Sequence, residues 1–399
     1  MIKKTVNVAM IGSKFMGRAH ANAYAKVAKF FDLPVEPIMH TVAARDEGEL
    51  RTFAERWGWP NRTIRWELAV ENPEIDLVDI CTPNHVHLDQ AVAALEAGRH
   101  VACEKPLAGT LADARQMHQA ATKARRSQTF VWYNYRRCPA VALAQQLVKS
   151  GKLGRIYHVR AAYLQDWGGP DTPLLWRFQS KFAGSGAHGD LNAHIIDMAR
   201  FITGDEISEV VGAIEQTFIK QRDLVESAGG EISGRGARRG KARRKKGRSS
   251  VDDAVLFLAR FKKGAVASFE ATRLATGDKN RNRIEIHGEK AALRFQFERM
   301  NELEWYDASQ GKLAGWSTIT VTRGDEGHPY VGAWWPPGHV LGYEHTFVNM
   351  AADLFLMLGG KKPLVSMPDF ADAYQTQRVL HAAIESARNR CPVKLSEIK

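Results

Sequence analysis

The stretch TVNVAMIGSKFMG, residues 5–17, joins an apolar strand-like run to the start of a helix-like run through a turn flanked by glycines. Val6–Ile11 is apolar, and Met16–Ala28 has the spacing of a helix. The same alternation continues along the chain. Strand-like segments are Pro37–Ala44, Ile75–Cys81, Val101–Glu104 and Thr129–Tyr135, and helix-like segments are Glu47–Trp57, Leu88–Gly98 and Leu111–Arg126. This order predicts an α/β domain over residues 1–137, with a parallel sheet wrapped by helices.

After Arg137 the pattern changes to long strand-like segments with few helices. A helix is expected at Val141–Ser150, and two more close the chain at Tyr343–Leu358 and Asp369–Arg388. The expected strands are Ile156–Leu164, Glu209–Phe218, Ala254–Phe261, Ala265–Arg273, Arg283–His287 and Ala292–Phe297, with a hairpin turn at Lys262–Gly264. Residues 138–399 are therefore predicted to form an α+β domain with a large, mainly antiparallel open sheet.

The composition is that of a soluble globular enzyme, with 44% hydrophobic and 25% charged residues. No apolar run approaches the roughly 20 residues that span a bilayer. The segment Met1–Lys4 leads directly into the first strand, so no signal peptide is expected. The four cysteines show no CxxC or metal-ligand spacing. These features predict a cytoplasmic protein with free thiols, no membrane partner and no metal site.

A basic, glycine- and serine-rich stretch at residues 228–250 supplies most of the net charge of +12. It could contact nucleic acid, an anionic surface or a neighbouring subunit. However, it has no interleaved aromatic residues for base stacking. A solvated loop between two strands is therefore the favoured interpretation, and a nucleic-acid partner is not expected.

The glycine turn is a degenerate dinucleotide-binding fingerprint. It comprises Gly12, Ser13, Lys14, Phe15, Met16 and Gly17, and Lys14 stands where G-x-G-x-x-G has its central glycine. The start of the following helix still offers unpaired amides to a phosphate, and Lys14 could add a charge or extend into water. At the end of the second strand, Asp46 could bind a ribose 2′-hydroxyl or cap the next helix, whereas Arg45 could pair with a 2′-phosphate. NAD is the expected cofactor, and NADP is not excluded.

Two further motifs indicate acid–base chemistry. Glu104-Lys105-Pro106 ends a strand, at the edge where parallel sheets bind ligands. Asp190 and His194 are spaced i, i+4 in a helix-like segment, so the carboxylate could orient the imidazole, and Asp197 is a possible second partner. The alternative is that Asp190 is a helix cap and His194 a core residue.

Seven segments together resemble the glucose–fructose oxidoreductase/inositol dehydrogenase (Gfo/Idh/MocA) family. They are IGSKFMGRAHANAY (11–24), IDLVDICTPNHVH (75–87), AGRHVACEKPLA (97–108), YNYRR (133–137), GKLGRIYHVRAAYLQDW (151–167), GSGAHGDLNAHIID (184–197) and GYEHTF (342–347). The order matches the family from end to end. The segment GAWWPPGHVLGYEHTF (332–347) is most similar to the branch whose members dehydrogenate levoglucosan, or glucosides at C3.

This resemblance implies a Rossmann nucleotide-binding domain and reversible hydride transfer between a nicotinamide and a secondary hydroxyl of a sugar, glycoside or polyol, with C3 favoured. His194 is expected to be the base, Asp190 its orienting partner, and Lys105 a donor to the same oxygen. Lys105 could instead be the base if its pKa is depressed. Further cofactor residues implied are Thr82, Pro83, Asn84, His87, Glu104, Asn134 and Arg177.

Substrate contacts implied by the resemblance are Tyr163, Trp176, His194, His339 and Tyr343, and Trp334 or Trp335 could also stack on a pyranose. The resemblance further implies a homodimer or homotetramer. Two rival functions remain open. One is a glycosidase that acts through transient oxidation by tightly held NAD. The other is a non-catalytic NAD(P)-binding sensor whose basic loop grips nucleic acid.

Overall fold

A computed structural model describes residues 3–224, 232–233, 236–237, 245–324 and 327–398. The chain divides into two units. The first unit is Met1–Arg137 with Gly342–Tyr374, and the second is Cys138–Leu341 with Gln375–Lys399. The expected boundary after Arg137 coincides with this division. The expectation of an unbroken second domain over 138–399 does not, because residues 342–374 pack with the first unit.

The first unit begins with strands and helices that alternate along the chain. In order these are β1 (Lys4–Ile11), α1 (Phe15–Phe30), β2 (Val35–Ala43), α2 (Glu47–Trp57), β3 (Asn61–Thr63), α3 (Trp66–Glu71), β4 (Leu77–Ile80), α4 (His87–Glu96), β5 (His100–Cys103), α5 (Leu111–Lys123) and β6 (Thr129–Val131). All six strands are parallel, in the order β3-β2-β1-β4-β5-β6. This is the strand order of the doubly wound nucleotide-binding fold, and it confirms the predicted α/β class.

The second unit is built on a nine-stranded sheet. Its elements are α6 (Pro139–Lys149), β7 (Ile156–Leu164), α7 (Ser180–Ala183), α8 (Ala193–Thr203), β8 (Ile207–Gln216), β9 (Gln221–Asp223), β10 (Ile232–Ser233), β11 (Gly236–Ala237), β12 (Lys246–Arg248), β13 (Ala254–Phe261), β14 (Val266–Thr272), β15 (Arg281–Gly288), β16 (Ala291–Gln296), β17 (Glu302–Asp307) and β18 (Trp316–Thr320). With β19 (Val393–Lys394), the sheet order is β18-β17-β16-β15-β7-β14-β13-β8-β19. Among the described strand pairs of this second sheet, β14/β7 is parallel and the others are antiparallel, so the predicted mainly antiparallel sheet is confirmed.

Helix α9 (Tyr343–Leu358) explains why the chain returns to the first unit. Residues 346–355 are all buried, so the helix needs partners around most of its circumference. Helix α1 supplies them: the ring centroids of His20 and Phe347 lie 5.5 Å apart, and those of Tyr24 and Phe355 lie 5.9 Å apart. The last helix, α10 (Phe370–Asn389), lies where it was expected.

The basic stretch, for which a solvated loop is expected, lies mostly outside the described residues. Its end is described and is a strand, because β12 pairs antiparallel with β9. Within the described parts of the chain, no helix is long and apolar enough to cross a membrane. All four cysteines are free thiols.

Candidate active site

The turn between β1 and α1 requires both of its glycines. Gly12 has φ +117, and a Cβ there would lie 2.8 Å from the Cys81 carbonyl oxygen. A Cβ on Gly17 would lie 2.2 Å from the Gly12 carbonyl oxygen. Position 14 has φ −84, which any residue adopts, so the backbone itself does not need glycine in place of Lys14.

This turn fits a dinucleotide pyrophosphate. In the described part of the chain, no side chain caps the first turn of α1, so its amides remain available to an anion. The Lys14 ammonium pairs instead with the Glu49 carboxylate on α2. The sequence predicts that Lys14 either adds a positive charge to the phosphate site or extends into water, and it does not predict an ion pair with Glu49. Both side chains are half exposed, so the ion pair contributes little stability.

Asp46 is the N-cap of α2, as one of its two interpretations predicted. Its Oδ1 accepts a hydrogen bond from the Glu49 amide at 2.9 Å. The carboxylate has a second oxygen, so capping and binding of a ribose hydroxyl are chemically compatible. Arg45 is exposed beside it.

We expect Asp46→Ala to lower the free energy of unfolding by about 0.5–2 kcal/mol through loss of the cap. If Asp46 also reads the ribose, the same change lowers the preference for NAD over NADP. Thr110→Ala is the matched control, because Thr110 caps α5 through the Asp113 amide at 3.1 Å. Chemical denaturation and titration of both nucleotides separate the two effects. An unchanged nucleotide preference in Asp46→Ala would show that Asp46 caps α2 and does not select the nucleotide.

His87, another expected cofactor residue, lies in the interior of the first unit. It is fully buried, with Nδ1 3.2 Å from the Leu107 carbonyl oxygen and Nε2 2.9 Å from that of Thr82. Burial lowers the pKa of its imidazole, although both carbonyls oppose that effect. These two contacts join the loop after β4 to the loop after β5, and the role of His87 as a cofactor contact remains a prediction. Thr82 is half-buried and donates to Gln90 at 2.7 Å, and Pro83 and Asn84 continue that loop.

The Glu104-Lys105-Pro106 turn follows β5 directly. Glu104 is 5% exposed, and its Oε2 accepts the Lys105 amide at 3.0 Å. Its Oε1 lies 3.0 Å from Nε2 of His20, so Glu104 anchors this turn. Lys105 itself is half-buried. Asn134, another expected cofactor residue, is buried and donates to Thr346 Oγ1 at 2.9 Å.

In the second unit, the segment that contains Asp190 begins as a single π-helical turn, His188–Asn192, and continues as α8. Such turns often occur at functional sites. Asp252 accepts hydrogen bonds from the amides of Gly186 and His188 at 2.7 and 2.8 Å. Gly186 is required there, because a Cβ would lie 1.8 Å from the Asp252 carbonyl oxygen. The turn is thus fixed to the start of β13.

Asp190 has a strong partner that the sequence did not reveal. Its Oδ2 accepts from Arg273 Nη2 at 2.7 Å, and the Arg273 side chain is only 3% exposed. The Arg273 guanidinium also lies over the Trp167 ring at 4.9 Å. The signal available in the sequence was the position of Arg273 at the end of an alternating strand-like segment. The role of Asp190 in orienting His194 remains a prediction.

His194 lies on α8, 7% exposed, with its ring 5.9 Å from that of Tyr163. Tyr163 donates to Asn280 Oδ1 at 2.7 Å, and Gln165 donates to the same oxygen at 2.8 Å. Trp167 in turn donates to Gln165 at 2.6 Å. Tyr163, an expected substrate contact, therefore begins a chain of polar side chains beside His194.

The remaining expected contacts are distributed over both units. Arg177 stacks on its neighbour Trp176 with 4.4 Å between guanidinium and ring, so one face of that indole is covered. His339 is exposed, with Nδ1 2.8 Å from the Pro336 carbonyl oxygen, and Trp335 is 52% exposed. Tyr343 belongs to the first unit and stacks on Phe15 of the glycine turn at 6.3 Å.

Two family descriptions match most of the chain. Residues 6–133 match the oxidoreductase family with the NAD-binding Rossmann fold, and residues 141–294 match the GFO/IDH/MocA C-terminal domain. Levoglucosan dehydrogenase from Pseudarthrobacter phenanthrenivorans is 41% identical over 401 residues, covering 99% of each chain. D-glucoside 3-dehydrogenase from Escherichia coli is 29% identical, over 51% of this chain and 56% of that protein. A structure of levoglucosan dehydrogenase with NADH and levoglucosan superposes with a TM-score of 0.89 at 39% identity, covering 98% of this chain and 100% of that one.

Proposed function

The chain belongs to the GFO/IDH/MocA family of NAD-binding oxidoreductases, and from this premise we propose that it oxidises a secondary hydroxyl of a pyranose or glycoside, with C3 as the favoured carbon. Full-length similarity to levoglucosan dehydrogenase supports the sugar class. The more distant similarity to D-glucoside 3-dehydrogenase supports the carbon. The intact set of Lys105, Asp190 and His194 is the observation that carries the proposal.

The chain's own residues have distinct tasks in this reaction. When bound, a nicotinamide dinucleotide supplies the hydride acceptor. The first-turn amides of α1 hold its phosphates. Lys105 donates a hydrogen bond to the substrate oxygen and stabilises the developing alkoxide. His194 accepts the hydroxyl proton, and Asp190 keeps its imidazole oriented.

A screen of nicotinamide absorbance tests the proposal. Levoglucosan, methyl glucosides, free hexoses and inositols are each incubated with NAD⁺ and with NADP⁺. We expect reduction of NAD⁺ with a pyranose or glycoside, and NMR of the product should show a ketone at C3. A ketone at another carbon overturns the regiochemistry. Release of an aglycone without net reduction indicates the glycosidase alternative, and no turnover with any compound overturns the dehydrogenase.

We also propose that a second copy of the chain covers the open face of the nine-stranded sheet. Ile214, Leu256 and Leu258 are 63%, 41% and 56% exposed on this face. They border a groove of about 380 Å³ that is also lined by Arg160, Glu270, Arg283 and Glu285. These charges pair within the face, Arg160 with Glu285 and Arg283 with Glu270, so a second copy related by a two-fold axis would meet no uncompensated charge there.

Leu256→Glu together with Leu258→Glu should convert the proposed dimer or tetramer to a smaller species. Each new carboxylate would be desolvated in an apolar interface, which is costly. Sedimentation equilibrium of the wild type and the double variant measures the change. Leu313→Glu is the control, because Leu313 is 85% exposed and lies outside this face. A monomeric wild type, or a double variant of unchanged mass, contradicts the proposal.

A further inference from the structure

A cluster of ionisable side chains is buried in the first unit, away from solvent. His20 on α1 and Asp79 on β4 are both 0% exposed, and Glu104 after β5 is 5% exposed. Charged groups are almost never buried to this extent unless they are paired. The proposed reaction assigns no role to His20 or Asp79.

The imidazole of His20 bridges the two carboxylates. Its Nδ1 lies 2.8 Å from Asp79 Oδ2, and its Nε2 lies 3.0 Å from Glu104 Oε1. The Trp132 indole donates to the other Asp79 oxygen at 2.9 Å. Because both ring nitrogens face carboxylate oxygens, a doubly protonated imidazolium satisfies the whole arrangement.

The charges around His20 favour its doubly protonated, imidazolium form. Burial by itself lowers the pKa of His20, but the charge of Asp79 and hydrogen bonds to Asp79 and Cys81 raise it, and the net pKa lies well above 6.5. Besides the imidazole of His87, whose pKa burial lowers and the charge of Glu104 raises, ionisable groups around the cluster are the thiols of Cys81 and Cys103 and the phenol of Tyr24. Burial raises the pKa of each of these three groups, which keeps them neutral.

Glu104 connects this cluster to the lysine turn. One of its oxygens accepts from His20, and the other accepts the amide of Lys105 at 3.0 Å. The Glu104 carboxylate therefore cannot rotate without breaking either its charge-assisted hydrogen bond to His20 or its hydrogen bond to the Lys105 amide. His20 in turn lies one helical turn after Gly17, on the helix whose first-turn amides are proposed to hold the dinucleotide phosphates.

We propose that His20 is a positioning residue that clamps Glu104 and thereby fixes the backbone of Lys105 relative to helix α1. The role of Lys105 in the reaction rests on the proposed function, whereas the clamp itself does not. An imidazolium between two carboxylates ties β4, β5 and α1 together at the carboxyl edge of the parallel sheet, where ligands of such sheets bind.

A metal ion is the alternative occupant, since ligand atoms of His20, Asp79 and Cys81 lie within 4.8 Å of one another. The geometry favours hydrogen bonds. His20 Nδ1 is 2.8 Å from Asp79 Oδ2 and 3.1 Å from Cys81 Sγ, so the donor atoms already touch. Ligands of a tetrahedral zinc at about 2.0–2.3 Å would be further apart than this.

The test uses His20→Gln, which keeps an amide donor but loses the charge and one of the two bridges. We expect kcat for sugar oxidation to fall about 10- to 100-fold, because small misplacements of a catalytic group have effects of that size. Hydrogen exchange at the Lys105 amide, read from the peptide over residues 100–108, should accelerate in the absence of any cofactor or substrate. Glu104→Asp provides a second variant, since it keeps the charge but is too short to reach both partners.

Asp353→Asn is the matched control. Asp353 pairs with Arg137 in the same unit at 3.2 Å, and both side chains are fully buried. This variant should lose stability while kcat and Lys105 exchange stay at wild-type values. Folded His20→Gln and Glu104→Asp proteins with wild-type exchange and kcat overturn the clamp, as does stoichiometric metal in the wild type. If the wild type oxidises no sugar, accelerated exchange still supports the clamp, while the proposed function fails.

The clamp also predicts a direction for the pH dependence of stability. The folded pKa of His20 is raised, so its contribution is complete below about pH 6.5 and is lost as the pH rises through the folded value. The difference in unfolding free energy between the wild type and His20→Gln should therefore shrink at alkaline pH. Urea denaturation across a pH series measures it, and a difference that grows with pH contradicts a protonated His20.

Discussion

Replacing Lys105 by alanine is expected to lower kcat by about 10²–10⁴-fold, the usual contribution of a group that stabilises charge or transfers a proton in the transition state. NAD⁺ affinity should change much less, because the proposed phosphate site is the turn between β1 and α1 and does not include Lys105. Steady-state kinetics on the substrate found by the screen, with fluorescence titration of NADH, measure both quantities. Lys123→Ala, an exposed lysine at the end of α5, is the control. Near-normal turnover in Lys105→Ala would show that Lys105 takes no part in the reaction.

Lys105→Arg separates the two roles that the sequence left open. Arginine keeps a positive hydrogen-bond donor but cannot be deprotonated in a protein. If Lys105 only stabilises the alkoxide, the arginine variant should retain part of the activity that alanine loses. If Lys105 is the base, both variants should be equally inactive at every accessible pH.

The second large effect is expected for His194→Gln, again a loss of about 10²–10⁴-fold in kcat. If His194 accepts the hydroxyl proton, the variant should also lose the acidic limb of the kcat–pH profile. A histidine that served only as packing between α8 and Tyr163 would change stability and leave that profile intact. Single-turnover measurements of nicotinamide reduction across pH distinguish these cases.

His188→Gln is the matched control for this experiment. His188 precedes His194 in the same helical segment, is 1% exposed and contacts the Leu380 carbonyl oxygen at 2.8 Å. Burial lowers the pKa of its imidazole, so it serves as a neutral structural residue. Its replacement should reduce stability without altering the shape of the pH profile. If the two variants behave alike, His194 has no special role in proton transfer.

Local patterns predicted most of the regular structure. Helices Glu47–Trp57 and Tyr343–Leu358 and strands Ile156–Leu164 and Ala254–Phe261 lie at the expected bounds. Their signals are strong because apolar spacing, caps and turns all act within a few residues. The elements that were not predicted, such as β3 (Asn61–Thr63) and α3 (Trp66–Glu71), are short and partly exposed, so they carry little periodic signal.

The sequence predicted those site residues whose chemistry follows from their position at the end of a strand or in a turn. It did not predict which buried side chains pair with one another, and Asp79 is an example. It interrupts the apolar strand Leu77–Ile80, and a buried carboxylate in such a strand requires a partner. No local rule says that the partner is His20, which lies 59 residues earlier and on a helix. The same holds for Asp190 and Arg273, which are 83 residues apart.

The sequence by itself therefore determined the parallel sheet, the glycine turn, the antiparallel second unit and the residue types available for acid–base chemistry, because these depend on interactions between near neighbours. Only the tertiary structure decided which charged side chains are paired and with which unit residues 342–374 pack. Pairing and packing over long separations depend on how buried groups satisfy one another in three dimensions, and only the folded chain brings those groups together.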